Sequence, residues 1–160
     1  MQIPETLQIF ATDFWLLNHR IDSALPGYLM LGSTLPTNDL SELPQEALVE
    51  LGPLLAQAQK AVMSQLRPNR LYISRYGHSP GHPIHFHLIP VYDWVEQLFW
   101  SDRRYRALEQ FTEASSEPGT DGAELTLFIW REFCERVDPP PIVDPSVADV
   151  IVLLREAMGR

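Results

Sequence analysis

Histidine and apolar residues alternate along residues 84–88, within a segment 84–91 that favours an extended strand. In a strand, successive side chains point to opposite faces of the sheet. His85 and His87 therefore share one face, together with position 83. The intervening side chains point to the other face and are all apolar: Ile84, Phe86 and Leu88. The alternation predicts a strand that is anchored in a core on one side and presents two imidazoles on the other.

The longest helical pattern runs from about Pro44 to Leu66. Proline is favoured in the first turn of a helix, and Glu46 suits the positive end of the helix dipole. Apolar residues recur there at three- and four-residue spacing and predict one apolar face: Leu48, Leu51, Leu55, Ala58 and Val62. The pair Gly52-Pro53 within this pattern predicts a kink or an interruption.

Short strand patterns lie on both sides of this helix, and helical patterns follow them. The strand patterns are two within residues 6–20 that meet near Thr12-Asp13, then 28–31 after the turn at Leu25-Pro26-Gly27, 71–76 and 84–91. A short helix is the alternative within 6–20. The later helical patterns are 93–113, 123–136 and 145–158, with a flexible stretch predicted at 115–122. This order predicts an α+β fold.

The chain carries a formal net charge of −9 over 160 residues, and 14 of its 21 acidic side chains follow position 90. An acidic surface repels the phosphate backbone of DNA and RNA. We therefore expect no polymeric nucleic acid as a partner, although a nearly neutral first half can still bind a small anion through local donors.

The cysteine content and the apolar runs indicate the compartment. The single cysteine, Cys134, excludes an internal disulfide framework and favours a reducing environment. No apolar run approaches the roughly 20 residues that a membrane-spanning helix needs. The first ten residues, MQIPETLQIF, lack the basic and apolar regions of a secretion signal. We expect a cytoplasmic protein without a membrane partner.

Four of the five histidines fall within ten residues: His78, His82, His85 and His87. Two imidazoles on one strand face can act as nucleophile and acid–base on a phosphoryl group, bind a metal, or remain polar surface residues. A metal site needs further ligands, but residues 88–92 hold no carboxylate, and His82 has the wrong strand parity. Phosphoryl chemistry is therefore the favoured interpretation and metal binding the second.

The loop before this strand suits contact with a phosphate. Its small residues, Ser79 among them, let backbone N–H groups approach phosphate oxygens. Pro80 and Pro83 have no N–H, so the loop offers fewer donors than a phosphate-binding nest. Arg75 lies at the entrance of the loop, where it can neutralise developing charge. Alternatively, Arg75 lies on the surface and has no such role.

The segment Pro83-Ile84-His85-Phe86-His87-Leu88-Ile89-Pro90 resembles the histidine-triad (HIT) signature, His-φ-His-φ-His-φ-φ with φ apolar. Upstream, Leu25-Pro26-Gly27-Tyr28-Leu29-Met30-Leu31 resembles the Pro-Gly-His strand of that family. Residues 39–43, Asp-Leu-Ser-Glu-Leu, then lead into a long helix as the family's loop does. The resemblance covers roughly residues 14–91.

This resemblance implies an antiparallel sheet with one long helix packed on it, a homodimer, and hydrolysis or transfer of nucleotidyl groups. His85 would attack the α-phosphate of a small nucleotide and form a nucleotidyl-histidine intermediate, with no cofactor. His87 would contact the phosphate and assist the leaving group. Residues in the zone of Ile21 and Asp22 would hold the base and ribose. Residues 1–91 would form the HIT-like core and residues 92–160 a mainly helical extension of the same domain.

The sequence departs from the family pattern at several positions. Pro83 replaces the first histidine of the triad, although its carbonyl can accept a hydrogen bond from a neighbouring imidazole and fix its tautomer. His82 is a candidate to compensate for the missing ring. Tyr28 stands at the strand histidine, Arg75 at the family's asparagine, and Ser79 is the nearest substitute for its polar residues before the triad. These changes leave open a nucleotide-binding protein with little turnover, or a metal-dependent enzyme that uses the His-x-His pair.

Other notable residues have ordinary structural interpretations. The four tryptophans are expected in the core or at a dimer contact rather than stacked on a base: Trp15, Trp94, Trp100 and Trp130. Cys134 is expected to be a small buried residue. His19 is expected to be structural or on the surface.

Overall fold

The structure is a computed structural model that describes residues 3–76, 82–106 and 122–159. Five strands form one sheet in the order β1-β2-β3-β5-β4, and all neighbouring strands are antiparallel. The strands are β1 (Gln8–Ala11), β2 (Trp15–His19), β3 (Leu29–Ser33), β4 (Arg70–Ser74) and β5 (His85–Val91). Each lies at or within two residues of a predicted strand, so the strand interpretation of residues 6–20 is confirmed over the helical alternative.

Among the described residues, four α-helices accompany the sheet: α1 (Gln45–Gln65), α2 (Asp93–Ser101), α3 (Gly122–Trp130) and α4 (Val147–Met158). Shorter turns of 3-10 helix occupy Glu5–Leu7, Leu40–Glu42 and Arg103–Tyr105, and a π-helical turn at Arg131–Glu135 extends α3. The predicted α+β class and the helical C-terminal part are therefore confirmed. The predicted flexible stretch at 115–122 lies almost entirely outside the described residues, and α2 ends well before the predicted position 113.

Local sequence explains the ends of the longer helices. Ser146 begins α4, because its side chain accepts a hydrogen bond from the Asp149 N–H, and Gly159 ends it at a positive φ of 83°. Pro44 lies just before α1. This helix continues through Pro53 without the predicted interruption. Pro53 is exposed, so water can bind the carbonyl that a backbone N–H at this position would have bonded.

Helices pack on both faces of the sheet and create two hydrophobic cores. On the first face, α1 and α4 cover a core drawn from four strands, with buried residues that include Ile9, Leu17, Leu31, Leu88, Val62 and Val150. Trp15 is fully buried there, and its indole Nε1 donates to the Ala47 carbonyl of α1 at 2.9 Å. On the second face, α2, α3 and the π-helical turn cover a core that includes Tyr28, Ile89, Val91, Phe99, Phe128 and Phe133.

The strand β5 contributes to both cores and lies between β3 and β4. Leu88 packs in the first core, whereas Ile89 and Val91 pack in the second. The ring of His87 contacts Tyr28 of the second core, so the two-histidine side of β5 is the side covered by α3. Within the described ranges, no helix combines the length and apolarity needed to cross a membrane.

His19 is buried at the end of β2, and its ring contacts two backbone carbonyls of the turn that follows. Its Nδ1 lies 2.9 Å from the Arg20 carbonyl and its Nε2 lies 3.0 Å from the Leu25 carbonyl. Burial lowers the pKa of His19, although both carbonyl contacts act in the opposite direction. The structural role expected for His19 agrees with this placement, which holds the segment carrying Arg20 and Asp22.

We predict that Leu88→Ala lowers the free energy of unfolding by about 2–5 kcal/mol, because it leaves a cavity in a fully buried position of the central strand. Urea unfolding measures this change. The control Val152→Ala removes an apolar group that is 53% exposed on α4, and we expect a change within about 0.5 kcal/mol. Equal effects of the two substitutions would contradict the assignment of β5 to the core.

We also predict that the protein loses stability as the pH falls below about 6.5, the ordinary pKa of histidine, partly through His19. A histidine whose pKa is lowered on folding binds its proton more readily in the unfolded chain, so acid favours unfolding. Unfolding at pH 7.5 and 5.5 should show a larger loss in the wild type than in His19→Gln. Because the other titrating groups are shared by both proteins, equal losses would contradict this role of His19.

Candidate functional site

A cavity of about 700 Å³ opens on the second face of the sheet, between the strands and α3. Its sheet side is lined by six residues: Arg20, Tyr28, Tyr72, Ser74, Tyr76 and His87. Its other side is lined by residues of α3: Gly122, Ala123, Thr126, Leu127 and Trp130. The cavity therefore has an aromatic floor with a few polar groups and a mostly apolar helical wall.

His85 and His87 lie side by side on β5, with ring centroids 5.1 Å apart. His87 is 6% exposed and lines the cavity, whereas His85 is half-buried and is not among the described residues that line it. The Nδ1 of His85 lies 2.9 Å from the Pro83 carbonyl oxygen. A carbonyl can only accept, so this nitrogen carries the proton, and a neutral His85 has its lone pair on Nε2. A lone pair on Nε2 is what a nucleophilic imidazole requires.

His87 contacts Tyr28 through its Nδ1. The Tyr28 hydroxyl lies 3.0 Å from His87 Nδ1 and accepts a hydrogen bond of 2.9 Å from the Arg20 guanidinium. Arg20 in turn binds both carboxylate oxygens of Asp22, at 2.5 and 3.0 Å. These four side chains form a continuous chain of contacts from the exposed Asp22 to the buried His87.

The charge states along this chain follow from burial and pairing. Burial raises the pKa of Tyr28 to about 12, so the phenol is neutral near pH 7. Burial is the largest influence on the pKa of Arg20 and acts to lower it, but the hydrogen bonds to Asp22 and the electrostatic effects of Tyr28, Cys134 and Asp22 together outweigh it, and the net shift is upward. The same pairing with Arg20 lowers the pKa of Asp22. Arg20 is therefore a permanent cation whose charge is balanced by an adjacent carboxylate.

The strand β4 supplies side chains that the sequence analysis missed. Ser74 pairs directly with His87 across the two strands. Its Oγ is buried and has no hydrogen-bond partner among the described residues. The Tyr76 ring meets the His87 ring edge to face at 5.0 Å. Tyr72, Ser74 and Tyr76 alternate along the chain and therefore share one face. The pairing of β4 with β5 decides which face this is, and the sequence does not reveal that pairing.

Arg75 lies on the opposite side of this alternation. It is exposed, and its guanidinium donates to the Asn38 carbonyl rather than lining the cavity. Among the described residues, Asp22 is joined to the site by its bonds to Arg20, a residue that the sequence analysis did not single out. Ile21 is 40% exposed on the turn after β2 and does not line the cavity. His82 is exposed near Pro83, and Ser79 lies outside the described residues.

The remaining candidates divide between the core and the cavity. Trp94 and Trp100 pack against the second core, and Trp15 lies in the first. Trp130 instead lines the cavity and is 41% exposed. Cys134 is half-buried, and burial raises the pKa of its thiol, which disfavours the reactive thiolate. In the ranges 3–76, 82–106 and 122–159, no group of three His, Cys, Asp or Glu side chains is placed to hold a metal ion.

No protein-family model matches the chain, and no curated protein matches it in sequence. Solved structures match its fold. A Hit-like protein involved in cell-cycle regulation from Bartonella henselae has a TM-score of 0.55 and 12% identity, over 97% of this chain and 88% of that one. A zinc-bound histidine triad family protein from Mycobacterium smegmatis also has a TM-score of 0.55, with 17% identity over 98% of this chain and 85% of that one.

A uridylyltransferase structure has a TM-score of 0.59 and 14% identity. That match covers 97% of this chain and 42% of the larger protein. At these identities the likeness concerns the fold, and it extends beyond the segment 14–91 on which the resemblance in sequence rested. The fold expected from the His-φ-His segment is therefore confirmed: the chain has the histidine-triad fold.

Proposed function

We propose that the protein hydrolyses or transfers the nucleotidyl group of a small nucleotide, with His85 as the nucleophile. The observation that carries this proposal is the hydrogen bond from His85 Nδ1 to the Pro83 carbonyl, which leaves the lone pair on Nε2. The family signature has a histidine at position 83, but the orienting group here belongs to the backbone and is unaffected by the change of side chain. Pro83 is therefore compatible with catalysis.

The reaction would proceed in two displacements at phosphorus. The lone pair on His85 Nε2 forms a bond to the α-phosphorus, and the bond from phosphorus to the leaving group breaks. His87 stands beside it to stabilise charge on the phosphoryl oxygens and supply a proton to the leaving group. Water or another acceptor then attacks the phosphorus and gives its proton to His87, the bond to Nε2 breaks, and both histidines are regenerated. Apart from this water or acceptor, each step uses side chains of this chain and the substrate alone.

The cavity beside His87 suits a compact substrate with a flat ring. Tyr72 on β4, Tyr76 just after β4 and Trp130 on α3 offer aromatic surfaces on which a nucleobase or aromatic leaving group can pack. Arg20 is the cation in its described lining, and Asp22 already balances that charge. The lining therefore favours a nucleoside phosphoramidate or similar monophosphate derivative over a dinucleoside polyphosphate. Similarity in fold to a uridylyltransferase is consistent with nucleotidyl chemistry.

The second candidate is a nucleotide-binding protein with little turnover. It is favoured by the loss of the first triad imidazole at Pro83. The two candidates differ in whether a covalent intermediate forms on His85, which can be measured directly.

We expect the wild-type protein to turn over at least one member of a panel of nucleoside phosphoramidates and dinucleoside polyphosphates, with or without a chelator. Mass spectrometry of samples that are quenched at neutral pH, without acid, should detect a nucleotidyl group on His85. In His85→Ala the turnover should fall by about 10³-fold or more, since the nucleophile is removed. Lys60→Ala, an exposed change on α1 across the sheet, is the control and should retain full activity.

Several outcomes would contradict this proposal. Full activity of His85→Ala excludes His85 as the nucleophile. Binding without turnover in the wild type favours the second candidate. Loss of activity on chelation points instead to a metal-dependent enzyme that uses the same two histidines.

We predict that Thr126→Trp weakens substrate binding by about tenfold or more, because the larger side chain fills the cavity from α3. Thr126→Val changes the hydroxyl to a methyl group at nearly the same size and is the matched control, for which we expect a change of less than about threefold, because it does not fill the cavity. The measurement is the KM or the dissociation constant for the best substrate. An unchanged KM in Thr126→Trp would mean that the substrate binds elsewhere.

A further inference from the structure

We propose that Tyr28 and Arg20 are positioning residues that hold the proton of neutral His87 on Nε2, so that the two neighbouring histidines have opposite tautomers. The tautomer itself follows from the contacts of Tyr28. Its consequence for catalysis rests on the proposed function.

Arg20 donates a hydrogen bond to Tyr28. A guanidinium has donors and no acceptor. The 2.9 Å contact between Arg20 Nη1 and the Tyr28 hydroxyl oxygen therefore places the oxygen in the accepting role. Asp22 holds Arg20 in this position through two charge-assisted bonds.

The phenolic proton of Tyr28 needs an acceptor of its own, because the hydroxyl oxygen already accepts from Arg20. Tyr28 is 2% exposed, and the one other polar atom at its hydroxyl in the described part of the chain is His87 Nδ1, at 3.0 Å. If His87 Nδ1 carried a proton and donated it, the phenolic hydrogen would be buried without an acceptor, which is costly. The favoured arrangement is donation from the Tyr28 O–H to a bare Nδ1. The hydrogen bond from the Arg20 cation polarises the phenol and makes it a better donor.

The two imidazoles carry their protons on different nitrogens. His85 has its proton on Nδ1, where it donates to Pro83. His87 has a bare Nδ1 and carries its proton on Nε2. One ring is therefore prepared to give a lone pair and the other to give an N–H, although both extend from the same face of β5. In the proposed reaction, His87 gives the Nε2 proton to the departing group while the Tyr28 O–H gives its proton to Nδ1, so that the ring stays neutral. The negative charge then lies on the Tyr28 oxygen, which accepts a hydrogen bond from the Arg20 cation.

Nitrogen NMR of the imidazole side chains tests the tautomer without any substrate. In the wild-type protein above pH 7.5 we expect His87 to show a bare Nδ1 and a protonated Nε2, with the signals assigned by their loss in His87→Asn. A proton on Nδ1 of wild-type His87 would overturn the proposal. This result does not depend on whether the protein turns over a nucleotide.

Tyr28→Phe removes the donor and keeps the ring. We expect the Nδ1 and Nε2 signals of His87 to move towards each other as the two tautomers interconvert. The matched control is Tyr92→Phe, which also removes a buried hydroxyl, bonded here to the Pro26 carbonyl at 2.8 Å. This control should leave the His87 signals in place. His87 signals that are unchanged in Tyr28→Phe would overturn the positioning role.

A kinetic comparison extends the test to catalysis. With an amine or alcohol leaving group that needs a proton, the single-turnover rate of Tyr28→Phe should fall by about tenfold or more. With a nitrophenolate leaving group, which departs without a proton, the rate should change by less than about threefold. Equal losses on both substrates would overturn the role of the tautomer in proton donation. Absence of turnover in the wild type would contradict the proposed function and leave the NMR result as the test of the tautomer.

Discussion

The pairing of β5 with a neighbour on each side is the constraint on which the rest of the structure depends. Its backbone hydrogen bonds to β3 and β4 fix which residues lie opposite one another, and its alternation then sends side chains into two separate cores. The apolar residues on one side pack in the core beneath α1 and α4. Packing of this kind fixes the position of a strand, and it supports the two histidines that lie side by side on the other face.

The parts of the fold that depend on local sequence could be predicted, since periodicity is a local property. The alternation around His85 and the four-residue spacing of α1 each indicate one element without knowledge of the rest. The extent of α2 and the unbroken course of α1 through Pro53 could not be obtained in this way. Both depend on solvent exposure and packing, which a single segment does not reveal.

The candidate site was predicted less completely because it is assembled from distant segments. Arg75 and Ser74 are neighbours in sequence, but the register of β4 decides that Ser74 faces the cavity and Arg75 does not. Arg20 gave no signal because its role needs Tyr28, eight residues later and just before β3, as well as His87. The wall formed by α3 depends on a packing contact that the helical pattern of residues 123–136 cannot specify.

The bond between His85 and Pro83 has a consequence for how such chains diverge. Every amino acid carries the same main-chain oxygen, so the group that orients His85 survives any substitution that preserves the path of the strand. Position 83 can thus change its side chain while the contact at His85 Nδ1 is kept. For the nucleophile that we propose, the orientation of the attacking ring is therefore independent of which side chain stands at the first position of the signature.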